Sequence, residues 1–495
     1  MFDKIRLTFK TTAIYSIGNI ATKLVGIILL PLYTAHITVA DYGLLGILEI
    51  SISILTQVLM FGQHQAYVRF FCRGDKNPTQ KDILYTLLIF LLFVGLVLNI
   101  FGNLWADKLA HLFDKPEEFK LYIHISLLII AVRLINKLVL SSFRAKENAS
   151  LYVVSNVTKL VVTLCLNIYF VAFLKIGIKG ILYSYVIGEI IMSLLIFPKL
   201  ITDHKFFFSF SSLIKAIKFG SPLIFVALGG MFLSMGDRYI LKFLGNYEEV
   251  GLYNLGYKIA NILSIFLIQS FQLGIQPIAY KMFKQKGDKR FYSKMLTYSM
   301  FVLTWAGLGL AIIGKELIKT LALNSDYWIA YTIVPYIIFG LLFSGARAVV
   351  NIGLYITHKT SSIAINTICA AVLNILLNFL LIPKFHMLGA AYATIISFIV
   401  LYFLSYRAAQ KQYKIPYENK KLMLLIILWI VLISISSLTN SFTICIRILI
   451  KILIFVSFPF ILYLFNFFEP VEIRRILGSL RKWKNLKPLT HRKKE

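Results

Sequence analysis

Isolated charged residues interrupt long apolar stretches of this sequence at Lys23, Glu49, Asp237, Lys258 and Arg347. A charge at the centre of a bilayer costs about 2.5–3.5 kcal/mol even on lenient insertion scales, so such residues usually line a cavity or a transport path. Lysine and arginine attract anions there, whereas carboxylates hold a proton, a cation or a basic partner. The pattern therefore predicts a polar site inside a membrane-embedded protein.

Other polar residues recur every three or four positions, a spacing that places them on one helix face. These faces carry Thr12, Ser16, Asn19 and Lys23; Glu49, Ser53 and Gln57; Asn254, Lys258, Asn261, Gln269, Gln272 and Gln276; Ser344, Arg347 and Asn351; and Asn366, Asn374 and Asn378. Two interpretations stay open, because amides and hydroxyls also join membrane helices by hydrogen bonds. For Lys159, Arg238, Arg447 and Lys451, snorkelling to the membrane surface is sufficient explanation.

The elements that must position these residues are membrane helices. The chain has 495 residues, of which 58% are hydrophobic and 15% charged, and its mean hydropathy is +0.78. A hydrocarbon core of about 30 Å needs roughly 20 apolar residues per helix. Scanning at that length predicts about fourteen spans, at residues 11–35, 42–70, 82–105, 119–143, 152–174, 178–197, 213–241, 252–280, 291–313, 328–352, 361–382, 388–407, 422–438 and 442–465.

The net charge of +30 is distributed as membrane topology requires. About 34 cations fall in alternate loops and the two termini, against about 9 on the opposite side, which is the positive-inside pattern. We therefore expect a multi-pass protein of the cytoplasmic (inner) cell membrane with both termini in the cytoplasm. The charge does not indicate nucleic-acid binding.

The loops and motifs argue against an enzyme. The longest outward loop, 106–118, is too short for a catalytic domain, and the sequence contains no P-loop, GxSxG or HExxH motif. The four cysteines, Cys72, Cys165, Cys369 and Cys445, lack metal-ligand spacing. We expect no metal site and no cofactor.

A weak internal repeat predicts two lobes of six helices in parallel orientation, followed by two additional helices. Residues 143–146, 156 and 177–188 correspond in order to 355–358, 366 and 386–397, with Gly180 opposite Gly389. The predicted units are an N-lobe (1–210, helices one to six), a C-lobe (211–414, helices seven to twelve), helices thirteen and fourteen (415–468), and a basic cytoplasmic tail (469–495).

Four segments resemble the polysaccharide transporter family, which includes the Wzx-type oligosaccharide flippases of the multidrug/oligosaccharidyl-lipid/polysaccharide superfamily. They are 16–45 (SIGNIATKLVGIILLPLYTAHITVADYGLL), 66–71 (AYVRFF), 236–241 (GDRYIL) and 249–260 (EVGLYNLGYKIA). The resemblance implies a MATE-like all-α fold with a V-shaped cavity lined by helices one, two, seven and eight. It also implies a cargo, a polyprenyl-pyrophosphate-linked oligosaccharide repeat unit for O-antigen, capsule or exopolysaccharide synthesis, moved by alternating access to the outer leaflet.

The candidate residues divide into two groups on this interpretation. The head group and sugars are expected to contact Lys23, Arg69, Lys258, Asn261, Gln269, Gln272 and Arg347. The candidates for coupling or gating are Glu49, Asp237 and Arg238, with Na⁺ or H⁺ as the coupling ion. A structural pair is the alternative role for Asp237 with Arg238, and also for Glu189.

Two other functions stay open. A MATE-type ion-coupled antiporter of a small molecule would share the fold, but we expect acidic residues to dominate its cavity. A membrane polymerase or ligase of the same pathway would need a sizeable outward loop. Expected partners are the lipid-linked oligosaccharide, a polysaccharide polymerase, glycosyltransferases and anionic membrane lipids. The apolar and basic stripe at residues 473–484 either binds such lipids on the inner membrane surface or is simply a topogenic tail.

Overall fold

The computed structural model describes residues 26–72, 83–111, 116–203 and 208–470. Lys23 and the predicted lipid-binding stripe at 473–484 lie outside the described residues. Within them, twelve helices are long and apolar enough to cross a membrane. One of these, Thr360–Gln412, covers two predicted spans. The spans are separated at His386, where the backbone has a positive φ of 53°. A shorter apolar helix, Gly26–His36, belongs to the first predicted span.

The helices follow one another through short connections. In chain order they are α1 Leu30–His36, α2 Val39–Leu59, α3 Gln63–Cys72, α4 Ile83–Ala110, α5 Pro116–Ala145, α6 Ala149–Asn167, α7 Gly177–Asp203, α8 Phe210–Met235, α9 Asp237–Leu244, α10 Tyr247–Ala260, α11 Gln269–Met282, α12 Asp288–Leu321, α13 Val334–Val350, α14 Ile352–Ile356, α15 Thr360–Gln412, α16 Asn419–Leu438 and α17 Ile444–Leu464. Two π-helical segments, Ile168–Phe173 and Ser264–Ile268, continue α6 and precede α11.

One span predicted as continuous is broken in the structure. Residues 42–70 split into α2 and α3 at Phe61 and Gly62, which both have positive φ. At Gly236 and Asn261 the backbone stays in the right-handed helical region, and one span continues from Tyr247 to Gln272. A break of this kind is tolerated at membrane depth where neighbouring helices or a cavity satisfy the freed backbone groups.

Helices α2 and α10 begin in the same way. Thr38 caps α2 by accepting from the N–H of Asp41, and Asn246 caps α10 by accepting from the N–H of Glu249. Each cap is followed three residues later by a carboxylate, which also favours a helix N-terminus. The second helix of each half therefore has the same local start signal.

The two helices cross at a pair of glycines. A Cβ atom on Gly43 would overlap the carbonyl oxygen of Tyr247, and one on Gly251 would overlap the carbonyl oxygen of Val39. Small residues permit such close backbone approach in membrane helices. This crossing, which we call the first closure, joins the two halves at the ends of α2 and α10 that follow the predicted outward loops.

A second glycine pair joins the halves at the opposite end. Gly62, between α2 and α3, lies against Gly220 of α8, and a Cβ atom on either would overlap backbone of the other segment. We call this contact the second closure. The two closures lie at opposite ends of α2, so the described helices hold the halves together on both sides of the polar residues between them.

Helices α16 and α17 pack against α12. Glu316 of α12 holds α17 through Lys451, at 2.8 Å, and through Arg447, at 2.8 Å. Lys451 is buried, so the snorkelling predicted for these two residues is wrong: a carboxylate on a neighbouring helix compensates their charge.

Candidate functional site

Two adjoining cavities are lined mainly by helices of the N-terminal half, and one of them also by Lys258 of the C-terminal half. Cavity A has a volume of about 400 Å³, and cavity B has a volume of about 380 Å³. Cavity A is lined by Gly26, Leu29, Tyr33, Glu49, Arg133, Asn156, Lys159, Leu160, Thr163, Tyr185 and Lys258. Cavity B is lined by His64, Arg133, Asn136, Lys137, Leu140, Arg144, Tyr152, Asn156, Lys159, Glu189 and Met192. Arg133, Asn156 and Lys159 belong to both, so they form a shared wall.

Cations dominate the ionisable groups of these cavities. Arg133, Lys137 and Arg144 follow one face of α5, and the eleven helical steps from Arg133 to Arg144 correspond to roughly 16 Å at 1.5 Å per residue. Lys159 of α6 and Lys258 of α10 extend the series into cavity A. The result is a row of five positive charges, here called the cation row, against the carboxylates Glu49 and Glu189.

Glu189 of α7 compensates the middle of the cation row. It is 0% exposed, and its Oε1 accepts from Lys159 Nζ at 2.5 Å and from Arg133 Nε at 2.7 Å. Asn136 donates to the other carboxylate oxygen at 2.9 Å. The structural-pair alternative for Glu189 therefore describes its geometry, and Lys159 is engaged at this site, contrary to the snorkelling expectation.

Glu49 and Lys258 both line cavity A. The Glu49 carboxylate accepts from the Tyr185 hydroxyl at 2.6 Å, while Lys258 Nζ lies 5.0 Å from the centre of the Tyr42 ring. A cation over an aromatic face is attracted by the ring quadrupole. Lys258 belongs to the C-terminal half, so cavity A lies between the two halves.

Asp237 and Arg238 form a buried pair outside the two cavities. Asp237 is 1% exposed and its Oδ1 lies 2.8 Å from an Arg238 guanidinium nitrogen. Tyr253 donates to the other Asp237 oxygen at 2.5 Å, and the Arg238 guanidinium lies 4.2 Å from the Tyr257 ring centre. The snorkelling predicted for Arg238 is therefore also wrong, because its side chain is buried. Through Tyr253 and Tyr257, the pair connects α9 with α10.

The remaining predicted residues do not line cavities A or B. Arg69 is exposed on α3, with its guanidinium 4.1 Å from the ring centre of Phe219. Asn261 ends α10, Gln269 begins α11, and Gln272 lies beside a small apolar pocket with Ile268 and Phe271. Arg347, on α13, has a buried Nε atom without a hydrogen-bond partner among the described residues.

Sequence reasoning missed the part of the cation row that α5 carries. The residues share one signal, because Arg133, Lys137 and Arg144 recur at intervals of four and seven within a long apolar segment. That spacing is the same criterion that selected the polar faces of other spans. Arg144 also lies near a helix end, where positive-inside topology offers an alternative explanation.

The fold is that of the MurJ and MATE transporters. The structure of lipid II flippase MurJ in an inward closed conformation matches with a TM-score of 0.74, over 91% of this chain and 98% of that chain, at 16% identity. An inward-facing multidrug resistance MATE family transporter matches with a TM-score of 0.65, over 82% and 95% of the two chains, at 13% identity. The MATE-like helical fold expected from the sequence is confirmed.

Residues 8–283 match the family model described as polysaccharide biosynthesis protein. The chain belongs to this family, as its motifs predicted. A probable low-salt glycan biosynthesis flippase of Haloferax volcanii, Agl15, is 23% identical over 225 residues, which are 45% of this chain and 47% of that protein. An uncharacterised membrane protein of Methanocaldococcus jannaschii is 26% identical over 260 residues, 50% of this chain and 48% of that one. The match thus spans about half the length of both relatives.

Proposed function

We propose that the protein is a flippase that moves a polyprenyl-pyrophosphate-linked oligosaccharide repeat unit from the cytoplasmic to the outer leaflet for surface polysaccharide synthesis. The observation that carries the proposal is the cation row, which lines two adjoining cavities in a member of the polysaccharide biosynthesis family. An anionic head group is the cargo that such a lining favours.

The cation row suits a pyrophosphate for electrostatic reasons. A diphosphate entering the membrane loses its hydration, and charge-assisted hydrogen bonds from lysine and arginine replace the lost water contacts. Glu189 keeps part of this positive charge compensated when no cargo is bound. An inside-negative potential assists export by about 2.3 kcal/mol per charge per 100 mV.

The C-terminal half supplies the other side of the proposed cargo site. Lys258 reaches cavity A in the present structure. We assign Asn261, Gln269, Gln272 and Arg347 to contacts with sugar and head group in another conformation, together with Lys23. Arg69, exposed on α3, is assigned to capture of the head group on the cytoplasmic side.

The two closures suit alternating access. Breaking the Gly43 and Gly251 contact would open the cavities on one side, and breaking the Gly62 and Gly220 contact would open them on the other. Small interfaces of this kind act as bistable elements when one half rotates against the other. In this scheme both termini face the cytoplasm.

A coupling ion, Na⁺ or H⁺, forms part of the proposal. Of the two predicted carboxylates, Glu49 is better placed to bind the coupling ion. It lines cavity A and accepts a hydrogen bond from the neutral Tyr185 hydroxyl. Asp237 is held by Arg238 and Tyr253. We therefore assign coupling to Glu49 and a gating or structural role to the Asp237 pair.

The alternatives fit the residues less well. A MATE-type antiporter of cationic molecules would need an acidic lining, whereas cavities A and B carry five cations and two carboxylates. A polymerase or ligase would need a catalytic constellation, and the short outward loops offer little room for one. A transporter working beside a polymerase and glycosyltransferases of the pathway fits better.

Depletion of the protein from its host tests the function. We expect the lipid-linked oligosaccharide to accumulate in the inner leaflet, measured by its inaccessibility to an externally added glycan-binding reagent in spheroplasts. Export restored by the wild-type chain, but not by a Lys258→Gln chain expressed at the same level, would support the proposal. An unchanged distribution of the lipid-linked oligosaccharide after depletion would refute it.

A further inference from the structure

A third cavity lies in the C-terminal half, away from the candidate cargo site. Its volume is about 710 Å³, within the range of about 300–1,000 Å³ typical of small-molecule pockets. It lies between α12, α13, α16 and the part of α15 that follows His386. Among the described residues, those that line it differ from those that line cavities A and B. It is therefore not part of the cation row.

The walls of this cavity are largely apolar and aromatic. The Tyr336 and Tyr392 rings meet edge to face with centres 5.3 Å apart, and the Phe339 and Trp429 rings lie 5.4 Å apart. Ile430 at the rim is 45% exposed. Because the rim residues belong to membrane-spanning helices, the surrounding hydrocarbon has direct access to the cavity.

One end of the cavity is basic. Lys315 and Lys451 line it, and their charged neighbours are Lys319, Arg447 and the carboxylate of Glu316. Glu316 accepts from Lys451 at 2.8 Å and forms an ion pair with Arg447, whose Nε atom lies 2.8 Å from the other carboxylate oxygen. Lys319 is exposed beside this group, with its Nζ 4.4 Å from the Trp328 ring centre. Four cations against this carboxylate leave the end of the cavity positively charged.

A buried donor in the wall lacks an acceptor. Trp429 is 3% exposed and lines the cavity, yet its Nε1 atom has no hydrogen-bond partner among the described residues. A buried indole N–H usually finds an acceptor, since leaving it unsatisfied costs free energy. An occupant that carries an oxygen acceptor inside an apolar body would satisfy this group.

We propose that this cavity binds one acidic diacyl phospholipid from the leaflet at the end of the bundle opposite the basic loops. The phosphate lies near Lys315 and Lys319, an acyl chain fills the aromatic groove, and an ester carbonyl accepts from Trp429. The basic end selects an acidic head group over a zwitterionic one, because each lysine near the membrane surface attracts negative charge. The site holds a lipid that α16 and α12 enclose together, separate from the cargo.

Native mass spectrometry of the delipidated protein, titrated with phosphatidylglycerol or phosphatidylcholine, tests the site. We expect one phosphatidylglycerol to bind about tenfold or more tightly than phosphatidylcholine, and Lys315→Gln with Lys319→Gln to abolish this preference. Trp429→Phe keeps an aromatic ring but removes the N–H donor, so it should weaken the binding of both lipids. The matched control is Lys108→Gln, since Lys108 also lies over a tryptophan, Trp105, at 4.7 Å; it should leave the preference intact.

Two outcomes would overturn the proposal. In one, the double lysine variant and the wild type show equal preference for phosphatidylglycerol. In the other, a polyprenyl phosphate displaces phosphatidylglycerol at equal concentration, which would assign the cavity to the carrier lipid. Ile430→Trp at the exposed rim provides a second test, because it narrows the entrance with little effect on the buried core, and it should reduce lipid binding while thermal stability is retained.

Discussion

Lys159 and Glu189 form an ion pair, 2.5 Å from Nζ to Oε1, in the wall shared by cavities A and B. The pair joins α6 to α7, and Arg133 of α5 donates to the same carboxylate oxygen. Three helices thus converge on one buried carboxylate. This arrangement makes Glu189 both a packing element of the N-terminal half and the counter-charge of the cation row.

Glu189→Gln should destabilise the protein strongly. Removing one partner of a fully buried ion pair costs about 3–5 kcal/mol; Glu189 is buried, but the side chains of Arg133 and Lys159 are 25% and 29% exposed, so we expect a loss toward the lower end of that range. Thermal unfolding in detergent measures the effect. Asp107→Asn is the control: Asp107 pairs with Lys120 at 2.6 Å on the exposed surface, and its loss should leave the unfolding midpoint unchanged. Equal shifts for both variants would contradict the role of burial.

Lys258→Gln should reduce transport about tenfold or more, since hydrogen bonds to charged groups contribute roughly 1.5–3 kcal/mol. Initial rates of lipid-linked oligosaccharide translocation in proteoliposomes measure the effect. Lys242→Gln is the matched control, because Lys242 also lies beside a tyrosine ring, at 5.2 Å from Tyr247, but outside the lining of cavities A and B. Identical rates for the two variants would exclude Lys258 from the cargo site.

Gly220→Ala should disturb the second closure, because the added methyl group would overlap the Phe61 carbonyl oxygen. We expect a cysteine introduced at Asn156, in the shared wall, to react faster with a water-soluble thiol reagent added from the side of the basic loops. Gly230→Ala on the same helix is the control, since nothing lies within 4 Å of its Cβ position. The four native cysteines are replaced beforehand. An unchanged labelling rate of the introduced cysteine would argue against the second closure.

Glu49→Gln and Asp237→Asn should have different effects. The glutamine can still accept from Tyr185, so we expect Glu49→Gln to fold normally and to change the dependence of transport on pH or Na⁺. Asp237→Asn leaves Arg238 buried without its counter-charge, which costs about 3–5 kcal/mol of stability. Parallel transport assays and thermal unfolding separate the two cases. An Asp237→Asn variant of normal stability would count against the structural role.

Glu418, which precedes α16, should make stability depend on pH. Burial alone would raise its pKa, but hydrogen bonds from Lys294 at 2.9 Å and Thr297 at 2.8 Å outweigh burial and lower the pKa of the carboxyl. A carboxyl with a lowered folded pKa stabilises the fold above its unfolded pKa, and this contribution disappears as pH falls through the folded pKa. Glu418→Gln should therefore be less stable than the wild type at pH 7, with the difference closing below about pH 4. A pH-independent difference would contradict this assignment.

The sequence by itself determined the class of the protein and most of its spans. Hydropathy and loop charge are summed over consecutive residues, so they predict spans and topology without knowledge of packing. The lone charges Glu49 and Lys258 were found in the same way and lie in cavity A. The start signals of α2 and α10 are also local, because a helix cap involves residues three positions apart.

Only the tertiary structure decided which polar residues share a site. Arg133, Lys159 and Glu189 come from three helices, and no local pattern states that they meet. The side of a helix that faces a cavity depends on its neighbours, and the same lysine or arginine can snorkel, pair or line a path. The break in 42–70 has the same origin, because a membrane helix is interrupted only where other segments satisfy its freed backbone groups.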